Sequence, residues 1–111
     1  MDYFKSKKDK MNIAFSRVIN GKRYDTKTAR SVGYNYRTGS CYDDLYYEEL
    51  FKKSTGEFFL YVKYVLANLW NIDGYSNKEY IKPLTREESM AWAEKYADAD
   101  AFIEAFGYVA E

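Results

Sequence analysis

The stretch YYEELFKKSTGEFFLYVKY, residues 46–64, decides the fold of this 111-residue chain. Two runs rich in aromatic and apolar residues flank Ser54-Thr55-Gly56, which has the length and composition of a hairpin loop. Because side chains alternate along a strand, the second run places two sets on opposite faces. These are Phe58, Leu60 and Val62 on one face, and Phe59, Tyr61 and Lys63 on the other. Aromatic residues on both faces predict a hairpin that is central or covered.

The residues before this hairpin predict three more strands. Asn20-Gly21 lies between two β-prone runs within residues 13–24 and supplies the positive φ that a type I′ turn requires. Asp25 can cap one short turn over residues 26–29. The alternation of residues 30–37 then predicts a third strand.

Residues 65–84 carry weaker local signals. The apolar spacing of residues 65–70 suits a short amphipathic helix, and residues 71–77, which include Gly74, predict a loop. Residues 79–84 predict a last, edge-type strand that Pro83 stops.

The C-terminal residues predict helix. Thr85 and Glu88 form a capping box that predicts a helix through about Ala97. Asp98 and Asp100 offer a second helix start, with Gly107 as its terminator. The apolar residues of this second helix, which recur at helical spacing, are expected in the core: Ala99, Phe102, Ile103 and Phe106.

These patterns together predict an α+β fold, with an antiparallel sheet of about four to five strands packed by one or two C-terminal helices. Residues 1–10 are polar and Lys-rich and are expected to form a flexible tail. Residues 11–111 are enough for one modest core and are expected to form a single domain.

The composition is rich in contact surface and short of catalytic groups. Of the 111 residues 13 are Tyr, another nine are Phe or Trp, and none is His. Without His, the chain lacks the commonest general base and the commonest metal ligand. We therefore expect no enzymatic activity and no cofactor.

The single cysteine, Cys41, cannot form an internal disulfide and has no second thiol or His nearby for a zinc site. The charged N-terminus is unlike a signal peptide, and Lys63 interrupts the most apolar region, residues 58–70. A cytoplasmic protein that does not cross a membrane is expected.

Short motifs for catalysis are weak. The adjacent carboxylates Asp43-Asp44, Glu48-Glu49 and Glu87-Glu88 diverge on a strand or a helix, so we expect solvated charges rather than acid/base pairs. Asp25-Thr26-Lys27 has the carboxylate-x-lysine spacing of metal-dependent nucleases, with Asp9 as an imaginable partner, but such short matches arise by chance.

The two halves of the chain have opposite charge. Residues 1–56 have a net charge of +5 and residues 57–111 a net charge of −5. The acidic half can either be a solvated helix face or present phosphate-like charge to a basic groove in another protein. For the second case, the candidate partner-binding residues are Glu87, Glu88, Glu94, Asp98 and Asp100, with Trp70 and Tyr75 as candidate exposed aromatics; Trp70 also suits a core position.

The basic half suggests an alternative, a single-stranded RNA- or DNA-binding accessory protein. Its cations, interleaved with Tyr24, Tyr34 and Tyr36, are Arg17, Lys22, Arg23, Lys27, Arg30 and Arg37. Residues 61–64 also fit the second half of an aromatic RNA-recognition strand, although the first half does not fit.

Five blocks of the sequence carry a resemblance to known proteins. They are INGKRYDTKTA (19–29), TGEFFLY (55–61), IKPLTREE (81–88), WAEKY (92–96) and DAD (98–100). With these blocks in this order, the chain resembles a group of small proteins encoded by phages and mobile elements of Gram-positive bacteria. Some proteins of this sort are anti-CRISPR proteins that act on the single-protein RNA-guided nuclease of type II systems.

The resemblance implies a non-enzymatic inhibitor in the cytoplasm of the host bacterium. Its partner would be the nuclease or its guide-RNA complex, and binding would block engagement of guide RNA or target DNA. The group often has a Gly-rich loop where residues 62–75 are apolar and aromatic here. A guide-RNA-cleaving enzyme is a third class, because such chemistry needs only carboxylates, Lys or Tyr.

Overall fold

The computed structural model describes residues 10–38, 45–67 and 75–107. They form the following elements: β1 (Ser16–Ile19), β2 (Lys22–Asp25), β3 (Arg30–Arg37), β4 (Leu45–Lys52), β5 (Phe58–Ala67), β6 (Tyr75–Leu84), α1 (Arg86–Tyr96) and α2 (Ala99–Phe106). Strands β1 and β2 pair with each other, and the other four form an antiparallel sheet in the order β3-β4-β5-β6. The predicted α+β class, with a helix pair on a four-stranded sheet, is confirmed.

The first hairpin turns at Asn20 and Gly21, as predicted. Their φ values of 52° and 76° are both positive, as a type I′ turn requires. The following turn is held by Asp25, whose Oδ1 accepts a hydrogen bond from the Lys27 backbone N–H at 2.9 Å and whose carbonyl accepts from Ala29 at 3.1 Å. The predicted Asp25 cap is therefore confirmed.

The central hairpin, β4 and β5, is covered on both faces. Toward the helices, the buried cluster comprises Val32, Leu50, Phe58, Leu60, Val62, Ala93, Phe102 and Ala105. On the other face it comprises Tyr24, Tyr47, Phe51, Phe59, Tyr61 and Ile81, covered by residues 11–15 and the first hairpin. The molecule thus has three layers, and the predicted alternation along residues 58–62 is confirmed.

The segment between β5 and β6 differs from the prediction. A helix was expected over residues 65–70, but β5 continues to Ala67, with Val65 paired to Asn77 and Ala67 paired to Tyr75. Residues 75–77, expected in a loop, belong to β6, because they pair with β5. The hydrogen bonds between paired strands decide the conformation of both strands. Residues 68–74 lie outside the described part of the chain.

Strand β6 is an edge strand, as predicted, but Pro83 does not stop it: Pro83 lies opposite Phe59, and Leu84 still pairs with Phe58. An edge strand tolerates proline because one row of its backbone groups has no partner to lose. In the described part of the chain, neither helix has the length and hydropathy needed to span a bilayer.

Both helices begin as the sequence predicts. The Thr85 hydroxyl accepts from the Glu88 N–H at 3.1 Å, while Glu88 Oε1 accepts from the Thr85 N–H at 2.9 Å, which completes the capping box. Asp98 caps α2 by accepting from the Ala101 N–H at 2.8 Å, and Gly107 ends it with a φ of 104°.

The apolar stripe of α2 is only partly in the core. Phe102 and Ala105 are buried, whereas Ala99 and Ile103, both expected in the core, are exposed, Ile103 to 36%. Adjacent residues on a helix point about 100° apart, so the turn that buries Phe102 directs Ile103 toward solvent.

Candidate partner-binding surface

The five predicted acidic residues are all exposed, and they lie on the helix pair and the turn that joins it. Two of them, Glu88 and Asp98, also serve as helix caps. The other three, Glu87, Glu94 and Asp100, make no hydrogen bond or ion pair among the described residues.

The two predicted aromatics are not placed beside them. Trp70 lies outside the described residues, and Tyr75 is described only as a β6 backbone position opposite Ala67. The exposed aromatic beside the acidic residues is instead Tyr96, which is 38% exposed at the end of α1. Tyr96 lies three turns after the capping box and matches no binding motif, so its exposure could not be predicted from the sequence.

An open cavity of about 360 Å³ lies at the junction of the two helices. Its apolar lining includes Ala93, Ala97 and Phe102, and the exposed carboxylates of Glu94 and Asp98 also border it. A neighbouring cavity of about 390 Å³ shares Ala97 and Asp98 with the first.

The second cavity extends the surface to the edge strand β3. Tyr34 and Tyr36 of β3 and Tyr96 of α1 contribute to its lining. We call the two adjoining cavities the acidic groove. It brings two of the predicted acidic residues together with Tyr96 on an apolar floor, whereas the rings of Tyr34 and Tyr36 pack against Tyr47 on the other face of the sheet.

The groove is held in place by contacts between α1 and the sheet. The Trp92 ring packs on the Tyr96 ring, with 5.0 Å between centroids, and its Nε1 donates to Glu48 Oε1 at 3.1 Å. Glu48 also accepts from Tyr46 Oη at 2.9 Å and from Asn35 Nδ2 at 3.4 Å. Burial, and then the hydrogen bond to Glu48, raise the pKa of Tyr46 to about 12.

The basic residues of the N-terminal half are largely engaged within the chain. Lys22 pairs with Glu57 at 2.6 Å, and Arg23 pairs with Asp25 at 2.8 Å. The Arg30 guanidinium lies 3.6 Å from Glu104. In addition, Arg17 stacks over Phe15 and Arg37 over Tyr46, with guanidinium carbons 4.0 Å and 4.3 Å from the ring centroids.

The aromatic residues proposed to stack on nucleic-acid bases are mostly inside the protein. Tyr24 is 5% exposed, Tyr34 and Tyr36 are half-buried, and Tyr61 belongs to the buried cluster under the first hairpin. Since stacking requires a free ring face, the buried rings of Tyr24 and Tyr61 are not available for it.

The Asp25-Thr26-Lys27 motif, which has nuclease-like spacing, is also held by hydrogen bonds within the chain. Asp25 Oδ1 accepts from the Lys27 backbone and Oδ2 binds Arg23, so both oxygens have partners. Within residues 10–38, 45–67 and 75–107, no three His, Cys, Asp or Glu side chains come close enough to hold a metal ion.

One carboxylate that we expected to be solvated is buried. Glu49 is fully buried, and its Oε1 accepts a hydrogen bond from Tyr47 Oη at 2.7 Å. Burial is the main cause that raises the pKa of Tyr47 well above its usual value. The alternation of β4 contained the signal: Glu49 shares a strand face with Tyr47 and Phe51, both of which are core residues.

Comparison of the chain with known protein families, curated proteins and solved structures returned no match. Its function is therefore inferred from the residues themselves.

Proposed function

We propose that this chain is a non-enzymatic inhibitor that binds a strongly basic surface of a type II RNA-guided nuclease and blocks engagement of guide RNA or target DNA. The observation that carries the proposal is the acidic groove, in which Glu94 and Asp98 border an apolar floor beside Tyr96. The sequence resemblance supplies the identity of the partner.

The groove has the chemistry to bind Lys and Arg side chains. These side chains bury an aliphatic stem on apolar surface while the charged end seeks a carboxylate. Ala97 and Phe102 offer the apolar contact, and Glu94 and Asp98 offer the charge. Tyr96 adds a stiff aromatic contact of the kind enriched at protein interfaces.

The net charge of the helical region also favours a basic partner. Residues 86–107 contain six Asp or Glu and only two Lys or Arg. A type II nuclease holds its heteroduplex in a positively charged channel, which an acidic, Tyr-bearing surface can occupy in place of nucleic acid.

The first test is plasmid cleavage by purified type II nucleases, with the protein added before or after the guide RNA. Inhibition only when the protein is added first means that guide loading is blocked. Inhibition in both orders means that target engagement is blocked. Full cleavage in both orders, across several nuclease orthologues, contradicts the proposal.

A pair of double variants tests the surface. Glu94→Gln with Asp98→Asn neutralises the groove, and the helix cap survives because Asn caps as well as Asp. Glu87→Gln with Glu104→Gln removes the same charge from the same helices at residues that line neither cavity of the groove. We expect the first pair to weaken nuclease binding about tenfold or more and the second to weaken it only slightly.

Equal effects of the two pairs would indicate a diffuse field instead of a defined groove. Wild-type inhibition by the folded Glu94/Asp98 variant would exclude the groove as the binding site. Guide RNA recovered intact on a denaturing gel separates inhibition by binding from guide cleavage.

A further inference from the structure

A further cavity, separate from the acidic groove, lies on the face of the sheet opposite the helices. It has a volume of about 320 Å³ and is bounded by residues 10–13, the turn after β2, and strand β4. Glu49 and Ser31 contribute polar side chains, and Met11, Ala29 and Phe51 contribute apolar surface. Because the central sheet separates this cavity from the acidic groove, its role is independent of the proposed function.

The polar end of the cavity is an incompletely satisfied carboxylate. Glu49 is fully buried; Oε1 accepts a hydrogen bond from Tyr47 Oη, but Oε2 has no hydrogen-bond partner within residues 10–38, 45–67 and 75–107. A buried carboxylate oxygen without a donor is costly, and such groups are rare in folded proteins. Glu49 thus sits at the inner end of an open cavity with an unused acceptor.

The nearest cation does not fill this role. The Lys10 ammonium lies 3.5 Å from Oε2, beyond the 2.7–3.2 Å usual for an N–H donor, and its side chain is 51% exposed. Lys10 therefore contributes an ion pair at long range, and a better-placed donor can displace it into solvent.

The lining selects the type of ligand. A divalent metal ion prefers several anionic oxygens, and among the described lining residues Glu49 supplies the only carboxylate. Lys10 and Lys27, both exposed, also line the cavity, but an anion that reached the buried Glu49 would meet its carboxylate. A small organic cation, by contrast, can donate to Oε2 while its alkyl part contacts Met11 and Phe51.

We infer that this cavity binds a primary ammonium or guanidinium group, with Glu49 Oε2 as its acceptor and counter-ion. The volume is about ten times the roughly 30 Å³ share of one water molecule, enough for a short alkyl cation. The cation can come from a free amine or from a Lys or Arg side chain of another protein.

The test is a titration with n-butylammonium and n-butylguanidinium, followed by ¹⁵N–¹H NMR. We expect saturable shifts centred on the amides of Met11, Thr26 and Ser31. Glu49→Gln should weaken binding about tenfold or more, since one charge-assisted hydrogen bond is lost. Lys10→Ala should strengthen it severalfold, because the competing ammonium is gone.

The matched control is Glu79→Gln. Glu79 also accepts a hydrogen bond from a tyrosine, Tyr61 Oη at 2.6 Å, but it does not line the cavity, so binding should be unchanged. Blocked Gly-Lys-Gly and Gly-Arg-Gly peptides distinguish the source: tighter binding than the free amines identifies a partner side chain, and weaker binding identifies a small molecule.

Absence of saturable shifts in both wild type and Lys10→Ala overturns the inference, as does equal binding by a folded Glu49→Gln variant. If Glu49→Gln does not fold, the wild-type protein is titrated with n-butanol, which is uncharged. Shifts equal to those from n-butylammonium overturn the inference, and weaker shifts support it. Because these measurements use no nuclease, their result is separate from the proposed inhibition.

Discussion

Gly33 on β3 lies directly against Ala97 at the end of α1. A Cβ placed on residue 33 would be 3.1 Å from the Ala97 Cβ and 3.2 Å from its Cα. The strand register also shifts between Ser31 and Gly33. The missing side chain therefore allows the end of α1 to approach β3 and to form the acidic groove.

Gly33→Ala should destabilise the protein and disturb the groove. Overpacking of this kind typically costs about 1–3 kcal/mol, and Ala97 lines both cavities of the groove. Urea denaturation followed by circular dichroism measures the loss, and nuclease binding should weaken in parallel. The double variant Gly33→Ala/Ala97→Gly should recover part of the stability, because it removes one of the two close contacts. Wild-type stability of the single variant would contradict this account of the packing.

Glu48 should be important as an acceptor more than as a charge. Glu48→Ala leaves Trp92 Nε1 and the Tyr46 hydroxyl without their partner, at a cost of about 1–3 kcal/mol. Glu48→Gln keeps a carbonyl oxygen and should lose less. Guanidinium denaturation of both variants checks this prediction, and equal losses would argue against the hydrogen-bond network.

Glu57 should make the stability sensitive to acid. Hydrogen bonds from Lys22, Lys53 and Thr55 lower the pKa of this carboxyl from 4.5 to about 2. Because the folded pKa is below the unfolded value, the stabilisation is complete above about pH 4.5 and is lost as the pH falls toward 2.

The comparison variant for this effect is Glu57→Gln. Its melting temperature should be lower than that of wild type at pH 6, and the difference should shrink by pH 2.5. Because Glu57 is on the surface, added salt should also reduce the difference at pH 6. A difference that is constant from pH 6 to pH 2.5 would exclude this ionic contribution.

Asp98 should have two separable roles. Asp98→Ala removes both the α2 cap and the groove carboxylate, so it should lose about 1 kcal/mol of stability and also weaken nuclease binding. Asp98→Asn keeps the cap and should weaken binding alone. Thermal melts paired with binding measurements separate the two effects, and equal loss of stability in the two variants would contradict the capping role.

The sequence predicted the elements whose signals are local. Asn20-Gly21 specifies a turn by its own backbone preferences, and Thr85 and Asp98 cap helices through hydrogen bonds to residues three positions away. The prediction for residues 65–67 was wrong because their conformation depends on pairing with residues 75–77, which lie further along the chain. Periodicity within a short window does not contain that information.

The candidate site was predicted in part. The acidic residues were identified from charge, but the groove depends on the approach of Ala97 to Gly33, which brings together residues far apart in the chain. The alternation of β4 places Glu49 on the face of Tyr47 and Phe51, but the cover over that face depends on residues 10–13, which come from a distant part of the sequence.

In the four-stranded sheet, each hydrogen-bonded neighbour is also the next strand along the chain. Such a meander can grow by successive addition, because each added strand is only a few residues away along the chain and its addition costs little entropy. The segment that covers Glu49 is different, since the Met11 backbone donates to Tyr47 Oη across 36 positions. Its attachment must wait for β4, and its ordering therefore costs more chain entropy than closing either of the tight hairpins, β1–β2 or β4–β5.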